Sequence, residues 1–388
     1  MPMIGGVLAV VGLGGTLAAA MGDNHARAWF SYLFAFMVCL SIASGSLGWI
    51  LIDQVARAGW SVVIRRLTET GMATIFLFAI LFVPIVTLGF HDLFAWSHEA
   101  DKVAKAQRWF LSPGFFYARA AIYFVVWIVL SRVLYGYSTR NDVEGADVSK
   151  RDELVRKMWS VAAPGVLLWA LTQSFAAVDW MMSLDSHWYS TIFGVYFFAG
   201  SILGFFAFVT LVAMSLQKSG VLKEVTTEHY HDLGKYLFGF TIFWAYIGFA
   251  QFMLIWYANL PEETEFYLVR IHGGWEYISY ALPIIHFFFP FLVNLSRHVK
   301  RSRVGLAFVA IWLLAMQIVD IYWLVMPNYG RFLEKPVAPV FSIAWTDVAA
   351  LVGMAGAFLA AYAFFLGRNK VIAINDPRLV ESLAHENY

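Results

Sequence analysis

Residues Ala176 to Gly204 read AAVDWMMSLDSHWYSTIFGVYFFAGSILG and connect two strongly apolar segments. A connection this short predicts that the two segments are antiparallel neighbouring helices. The aromatic residues Trp180, Trp188 and Tyr189 in the connection are typical of the headgroup layer of a bilayer. The stretch therefore predicts two membrane-spanning helices joined by an aromatic turn at the membrane surface.

The composition of the whole chain favours the same environment. Of its 388 residues, 60% are hydrophobic, 18% are aromatic and only 14% are charged, which lies outside the range of ordinary soluble domains. The net charge of +1 gives no indication of a nucleic-acid partner or an acidic ligand. The single cysteine, Cys39, excludes a disulfide framework, a Cys-x-x-Cys-His haem attachment and iron-sulfur ligation.

Ten apolar runs have the length of about 20 residues that a membrane-spanning helix needs. They lie at about 4–21, 29–52, 68–90, 115–137, 159–182, 191–216, 235–258, 277–296, 305–327 and 346–367. The first run ends in Ala18 to Ala20, which could imitate a signal-peptidase site, but no Lys or Arg precedes it, so we interpret it as a retained helix. The sequence predicts an all-α, polytopic membrane protein.

The basic residues are divided unevenly between the two sides that ten spans define. Most of the 27 Lys and Arg residues lie in loops on the side of the termini or in the C-terminal tail, whereas the opposite loops carry only Arg27, Lys102, Lys105, Arg108, Arg270, Arg331 and Lys335. Because basic residues accumulate in cytoplasmic loops, both termini are expected to be cytoplasmic.

A weak internal repeat indicates how the spans are grouped. Ala43-Ser-Gly-Ser-Leu-Gly-Trp49 in the second span is similar to Ala199-Gly-Ser-Ile-Leu-Gly-Phe205 in the sixth. The alternative is chance, because small residues recur wherever membrane helices pack closely. A true repeat would give two four-helix bundles with two peripheral helices. The predicted domains are the first helix with its outer loop, the first bundle, the second bundle, and the last helix with the cytoplasmic tail, at 1–28, 29–190, 191–345 and 346–388.

Polar side chains inside the spans are the main functional signal, because a charged group at the bilayer centre costs about 2.5 to 3.5 kcal/mol on insertion scales. We predict a proton pathway from the cytoplasmic side to the outer side that includes Asp320, His286, Glu69, Asp179, Gln173, Gln251, Asn294 and Gln317. Two alternatives stay open. Residues near span ends can contact headgroups or cap helices, and His286 can be an ordinary hydrogen-bonded histidine.

The histidine pattern excludes a haem-binding cytochrome b. Such a subunit needs paired axial histidines at similar depth, and the sequence offers only His286 deep in a span. Nor does it offer the thiolates or paired imidazoles of a buried redox metal. His229 and His231 fall in a charged loop, for which we prefer a solvated connection to a metal site. We therefore expect no covalently bound cofactor, no haem and no metal on this chain.

Three segments resemble one family of membrane subunits. They are Trp109 to Arg119, Asp179 to Gly194 and Gln251 to Thr264, which read WFLSPGFFYAR, DWMMSLDSHWYSTIFG and QFMLIWYANLPEET. The chain resembles the ActF-type integral membrane subunit of bacterial alternative complex III, a quinol to electron-acceptor (cytochrome c) oxidoreductase. That subunit is related to the NrfD and polysulfide-reductase membrane anchors. The resemblance implies a bacterial inner (cytoplasmic) membrane.

The resemblance also implies partners. Such a subunit would lie beside a homologous ActC-type membrane subunit, an iron-sulfur subunit, multihaem cytochrome c subunits and small membrane subunits, with a terminal cytochrome oxidase in some assemblies. The haems and iron-sulfur clusters would belong to those partners. In this family the firmer quinol site is assigned to the ActC-type subunit. Lipids would surround the chain, and no nucleic acid is expected.

Three functional hypotheses follow. The first is a non-haem subunit that contributes a proton pathway and a scaffold, without independent catalytic activity. The second gives the chain its own quinol-oxidising pocket near the outer surface, with quinone contacts from His91, Asp92, Asp185 and His187. The third is a secondary carrier with inverted repeats and helices broken at proline, which is disfavoured because a repeat four spans apart keeps the same orientation.

Overall fold

The computed structural model describes residues 2–22, 25–97, 107–331 and 339–387. Ten helices are long and apolar enough to cross a membrane, as predicted, and the described residues contain no strand. In chain order they are α1 Pro2–Ala19, α2 His25–Ala56, α3 Val62–Thr87, α4 Pro113–Glu144, α5 Val148–Leu184, α6 Phe193–Lys218, α7 Thr227–Ala258, α8 Trp275–Leu295, α9 Arg303–Asn328 and α10 Trp345–Leu366. The chain is thus an all-α, multi-pass membrane protein, and Lys102, Lys105 and Lys335 lie outside the described residues.

Helix α2 lies at the centre of the molecule and is almost entirely buried. It contacts α3, α5, α6, α9 and α10. Helices α3, α4 and α5 pack with it in one group, while α7 and α9 pack against α6 in the other, and α8 contacts α7 and α9. The separation of these two groups into domains stays a prediction.

The two repeat segments cross each other at close range. A Cβ atom on Gly45 would lie 2.4 Å from the carbonyl oxygen of Ser201, so the small residues allow α2 and α6 to touch through their backbones. A glutamine flanks each segment. Gln173 accepts a hydrogen bond from Ser44 at 2.5 Å, and Gln317 lies against Gly200. The two similar segments are therefore in direct contact, and a repeat relation between them stays a prediction.

Helices α1 and α10 form an antiparallel pair at the edge of the molecule. Gly5 packs against Gly356, and Gly12 packs against Gly353, so the two chains run in opposite directions at backbone contact. Both termini therefore lie at one end of the bundle, which we call the terminal face. The other end is the opposite face.

Helices α3 and α8 depart from regular α-helix in mid-span, and α5 and α9 end in 3-10 turns. Helix α3 is interrupted at Thr74, between Val62–Ala73 and Ile75–Thr87. Helix α8 consists of Trp275–Ala281, a π-helical segment Leu282–Phe288 and Phe289–Leu295. A π-helical segment widens the turn and is often found at functional sites. This segment carries His286.

The C-terminal segment crosses the terminal face and contacts both groups of helices. Asp376 pairs with Arg65 at the start of α3, and the Ser382 carbonyl oxygen lies 3.0 Å from Nε2 of His229 in α7. The prediction that His229 and His231 belong to a solvated loop is wrong. Both are buried in the first turns of α7, where Nδ1 of His229 accepts a hydrogen bond from the backbone N–H of Thr226.

Candidate functional site

The clearest candidate site surrounds the carboxyl group of Asp320 in α9, which is 2% exposed. The Tyr196 hydroxyl of α6 donates a hydrogen bond to Oδ1 at 2.5 Å, and the Trp244 indole N–H of α7 donates to Oδ2 at 3.1 Å. Among the described residues, no Lys, Arg or His lies within ion-pair distance of this carboxyl. Asp320 is therefore a buried acid held by neutral donors.

The imidazole of His286 packs against the Trp244 ring. The centroids of the two rings are 4.0 Å apart, and the ring planes differ by 34°. His286 is fully buried, and neither of its ring nitrogens has a hydrogen-bond partner among the described residues. Buried polar groups normally bond to protein or to water. The neutral imidazole has one N–H and one lone pair, so both nitrogens retain the capacity to hydrogen-bond to water.

Small residues bring α9 close enough to complete the site. A Cβ atom on Gly200 would lie 2.9 Å from Oε1 of Gln317, and one on Gly204 would lie 3.2 Å from its Cγ. Glycine at both positions leaves room for the Gln317 side chain against α6. Asp320 follows Gln317 by one turn on the same face, so this contact sets the position of its carboxyl group beside Tyr196.

Further polar groups lie on either side of the site. Towards the terminal face, Asn294 donates to the Gly234 carbonyl oxygen at 3.1 Å, about 12 Å along α8 from His286. Towards the opposite face, Gln251 accepts from the Ser190 hydroxyl at 3.0 Å and donates to the Tyr267 hydroxyl at 3.4 Å. Burial raises the pKa of Tyr267 to about 12, so its hydroxyl stays protonated at neutral pH.

The remaining predicted pathway residues lie in the other group of helices, where Asp179 has a complete set of partners. The Arg119 guanidinium donates to its two oxygens at 2.8 and 2.7 Å, and the Tyr123 hydroxyl donates at 2.7 Å. Arg119 also stacks on Phe110, with 3.8 Å between its Cζ and the ring centroid. The bidentate, fully buried pair has the geometry of a structural salt bridge.

Glu69 and Gln173 are also bonded within the protein. Glu69 accepts from Arg65 Nε at 3.2 Å and from the Ser138 hydroxyl at 2.8 Å, near the terminal face. Gln173 donates to the Ser201 hydroxyl at 3.3 Å, which links α5 to α6.

The eight predicted residues therefore fall into two groups. The group in α7, α8 and α9 includes Asp320, which has only neutral hydrogen-bond donors, and His286, which has no hydrogen-bond partner among the described residues. The group in α3 and α5 consists of residues whose polar groups are hydrogen-bonded within the protein. Their membership of one proton pathway stays a prediction.

The four residues predicted to contact a quinone lie near the opposite face, and their role stays a prediction. His91 Nδ1 lies 2.9 Å from the Ser97 hydroxyl, and Asp92 lies 2.8 Å from His25 Nδ1. Asp185 pairs with Arg331 at 2.7 Å and accepts from the backbone N–H of His187 at 3.1 Å. A cavity of about 290 Å³ is lined by His187, Trp188 and Tyr189 together with Gln107, Ser186, Leu260, Glu262 and Glu263.

Sequence reasoning missed the buried ion pair of Arg27 and Asp347. Arg27 was assigned to an outer loop, but it is buried in the first turn of α2 and its guanidinium donates to Asp347 at 2.5 Å. The Ser31 and Tyr322 hydroxyls donate to the same carboxyl at 2.6 and 3.0 Å. Because the acid and base lie in helices far apart in sequence, no local pattern marks the pair.

The partners of Asp320 were also missed. Tyr196 and Trp244 carry a polar atom on a large apolar ring, and such side chains usually find a hydrogen-bond partner when buried. That tendency was a weak indication that both residues bond to a polar group inside the protein. No known protein-family model matches the chain, and no curated protein matches it.

Proposed function

We propose that this chain is a non-haem integral membrane subunit of a quinol to electron-acceptor oxidoreductase complex and that its helices α6 to α9 conduct protons. One observation carries the proton role: the buried Asp320 carboxyl has two neutral donors and no cation, beside a histidine with both ring nitrogens unpartnered among the described residues. Membership of the complex is supported by the resemblance of three segments to the ActF-type subunit.

The environment of Asp320 suits proton exchange better than that of Asp179. The Arg119 guanidinium pairs with Asp179, which suits that carboxylate to a structural role. Asp320 has no such compensation, and an isolated charge in hydrocarbon is costly. A change of charge nearby can therefore drive the uptake or release of a proton at Asp320.

The polar groups follow one another in depth and so define a route for this transfer. Asn294 lies near the terminal face, His286 at mid-depth, Asp320 nearer the opposite face and Gln251 beyond it. Trp244 contacts both His286 and Asp320. In this proposal the proton passes around Trp244 on bound water.

Location and partners are part of the same proposal. The excess of basic residues on the terminal face supports cytoplasmic termini in a bacterial inner membrane. The resemblance supports a neighbouring ActC-type subunit, with an iron-sulfur subunit and multihaem cytochromes c that hold the redox groups. This chain would then add a scaffold and a proton route to their electron transfer.

The test is proton stoichiometry in the intact complex reconstituted in liposomes. Asp320→Asn keeps the size of the side chain but removes its ability to exchange a proton. We expect fewer protons per electron with quinol oxidation retained. Asp347→Asn is the control for loss of a buried acid outside this route, and only complexes that assemble are compared, because this change also leaves Arg27 without its carboxylate partner. In assembled complexes, unchanged stoichiometry in Asp320→Asn, or an equal fall in both variants, would contradict the proposal.

The second candidate function is a quinol-oxidising pocket on this chain, favoured by the small cavity beside His187. A photoreactive quinone analogue separates the two in the intact complex. The proton-pathway proposal expects labelling of the ActC-type partner and none of residues 186–189. Labelling of this connection that excess quinol suppresses would instead assign the pocket to this chain.

A further inference from the structure

A groove of about 740 Å³ runs along one side of α7. Its wall is aromatic, with Tyr236, Phe240 and Phe243 from α7, Phe198 from α6 and Trp60 from the connection before α3. The positions from Tyr236 to Phe243 extend about 10 Å along the helix axis. Because most of α7 is exposed in the chain, the groove is an apolar slot that is open to the hydrocarbon of the membrane.

The end of the groove at the terminal face is polar. Lys235 Nζ donates to the Asn387 side-chain oxygen at 2.6 Å and also contacts Asp232. Nε2 of His385 lies 2.5 Å from the other oxygen of Asp232. Asp232 is thus in contact with both Lys235 and His385, while the Lys235 side chain remains 49% exposed at the rim.

Two further basic residues lie next to this rim, of which Arg297 is exposed and Lys300 is buried. Arg297 donates to the Asn387 carbonyl oxygen at 3.4 Å, and Lys300 donates to the Asn294 carbonyl oxygen at 2.6 Å. Within the described part of the chain, no carboxylate is at ion-pair distance from either residue. Arg297 is therefore an exposed cation that no carboxylate of the described residues neutralises, and the half-exposed Lys235 adds a second basic group from its ion pair with Asp232.

We propose that the groove binds one anionic phospholipid from the leaflet at the terminal face. One acyl chain lies against Phe240 and Phe243, and the phosphate contacts Lys235 and Arg297. A basic rim above an apolar slot between membrane helices matches both halves of such a lipid. This site is separate from the Asp320 route and does not depend on the proposed proton function.

Two glycines provide a matched pair of variants. No atom lies within 4 Å of a Cβ atom built on Gly239, which lines the groove, or on Gly136 in α4. A phenylalanine at either position therefore projects into open space. Gly239→Phe fills the groove, whereas Gly136→Phe changes a surface away from it.

The experiment uses phosphatidylglycerol with a photoreactive group in one acyl chain, added to the intact complex in nanodiscs, with labelled peptides mapped by mass spectrometry. We expect labelling of residues 236–243, loss of this label in Gly239→Phe, and wild-type labelling in Gly136→Phe. Lys235→Gln and Arg297→Gln should each lower the labelling about fivefold, because a basic residue near an anionic lipid surface contributes about that factor.

Each other outcome would overturn the proposal. Equal labelling by the phosphatidylcholine analogue would remove the selectivity for an anionic headgroup. Stronger labelling by a photoreactive quinone that phosphatidylglycerol does not compete with would assign another occupant. Unchanged labelling in Gly239→Phe, or none of residues 236–243 in the wild type, would show that no lipid occupies this groove.

Discussion

The Tyr196 hydroxyl donates a hydrogen bond of 2.5 Å to the Asp320 carboxyl and so joins α6 to α9 through a buried acid. Asp179, a buried acid in the other group of helices, is instead held by the guanidinium of Arg119. Two carboxyl groups in similar apolar surroundings thus differ in whether a cation compensates their charge. This difference separates a group suited to proton exchange from one suited to stability.

Loss of the Tyr196 hydroxyl should affect both stability and proton transfer. Tyr196→Phe leaves one oxygen of Asp320 without its donor, which should lower the free energy of unfolding by about 1–3 kcal/mol and reduce the protons translocated per electron. Thermal unfolding and proton stoichiometry of the purified complex measure the two effects. Tyr189→Phe is the control, because Tyr189 is largely exposed at the opposite face. Equal values for the two variants would contradict a special role for Tyr196.

The pair of Arg119 and Asp179 should behave as a structural unit. Arg119→Met or Asp179→Leu alone leaves a buried charge unpaired and should destabilise the protein by about 3–5 kcal/mol. The double variant removes both charges and should recover much of that loss. Thermal unfolding of the four proteins gives the coupling free energy. Additive losses in the double variant would argue against this interpretation.

The contact of α1 with α10 should depend on Gly12 and not on Gly14. A Cβ atom on Gly12 would lie 2.6 Å from Cα of Gly353, whereas no atom lies within 4 Å of one on Gly14. Gly12→Val should therefore separate the two helices, while Gly14→Val should leave them packed. Cysteine cross-linking between α1 and α10 measures their proximity. Efficient cross-linking in Gly12→Val would show that the helices adapt to the added side chain.

Docking of the C-terminal segment should depend on the charge of Asp376. Burial raises the pKa of this carboxyl, but Arg65 and Arg378 outweigh it and hold the pKa below its usual range. The contribution to stability is therefore complete above about pH 5 and falls as the carboxyl is protonated at lower pH. Asp376→Asn should remove this contribution at neutral pH as well.

Limited proteolysis of the C-terminal segment measures its docking. Asp376→Asn should be cleaved faster than the wild type at pH 7, and the pH dependence below about pH 5 should be weaker in the variant. Glu386→Gln is the control, because Glu386 is exposed in the same segment. Equal cleavage of the wild type and Asp376→Asn would contradict the assigned role.

The spans could be predicted well from the sequence because a backbone segment in the hydrocarbon core must form its hydrogen bonds within itself, which an α-helix does. Apolar run length was therefore sufficient, even for the Gly-rich α1. The prediction from sequence was wrong at His229, because the charged composition of that segment indicated a loop. Thr226 begins α7 with an N-terminal cap, and His229 completes this cap. A helix start signal was present but was outweighed by charge.

The environment of each buried polar residue could not be predicted. Whether Asp320 faces a cation or a hydroxyl depends on how α9 crosses α6 and α7, and no pattern within one helix specifies that crossing. The same holds for Arg27 and Asp347, which form an ion pair between helices distant in the chain. Depth in a span identified Asp320 and His286 as unusual residues, but only the packing of α6 to α9 supplied their neighbours.

The most direct test of the proton role is the infrared difference spectrum of the intact complex during quinol-driven turnover. A carboxyl group that exchanges a proton gains or loses its C=O stretching band, and this band shifts in D₂O. We expect such a band in the wild type and in Asp347→Asn, and we expect it to be missing in Asp320→Asn. A wild-type spectrum without the band, or a band that persists unchanged in Asp320→Asn, would show that Asp320 does not exchange protons.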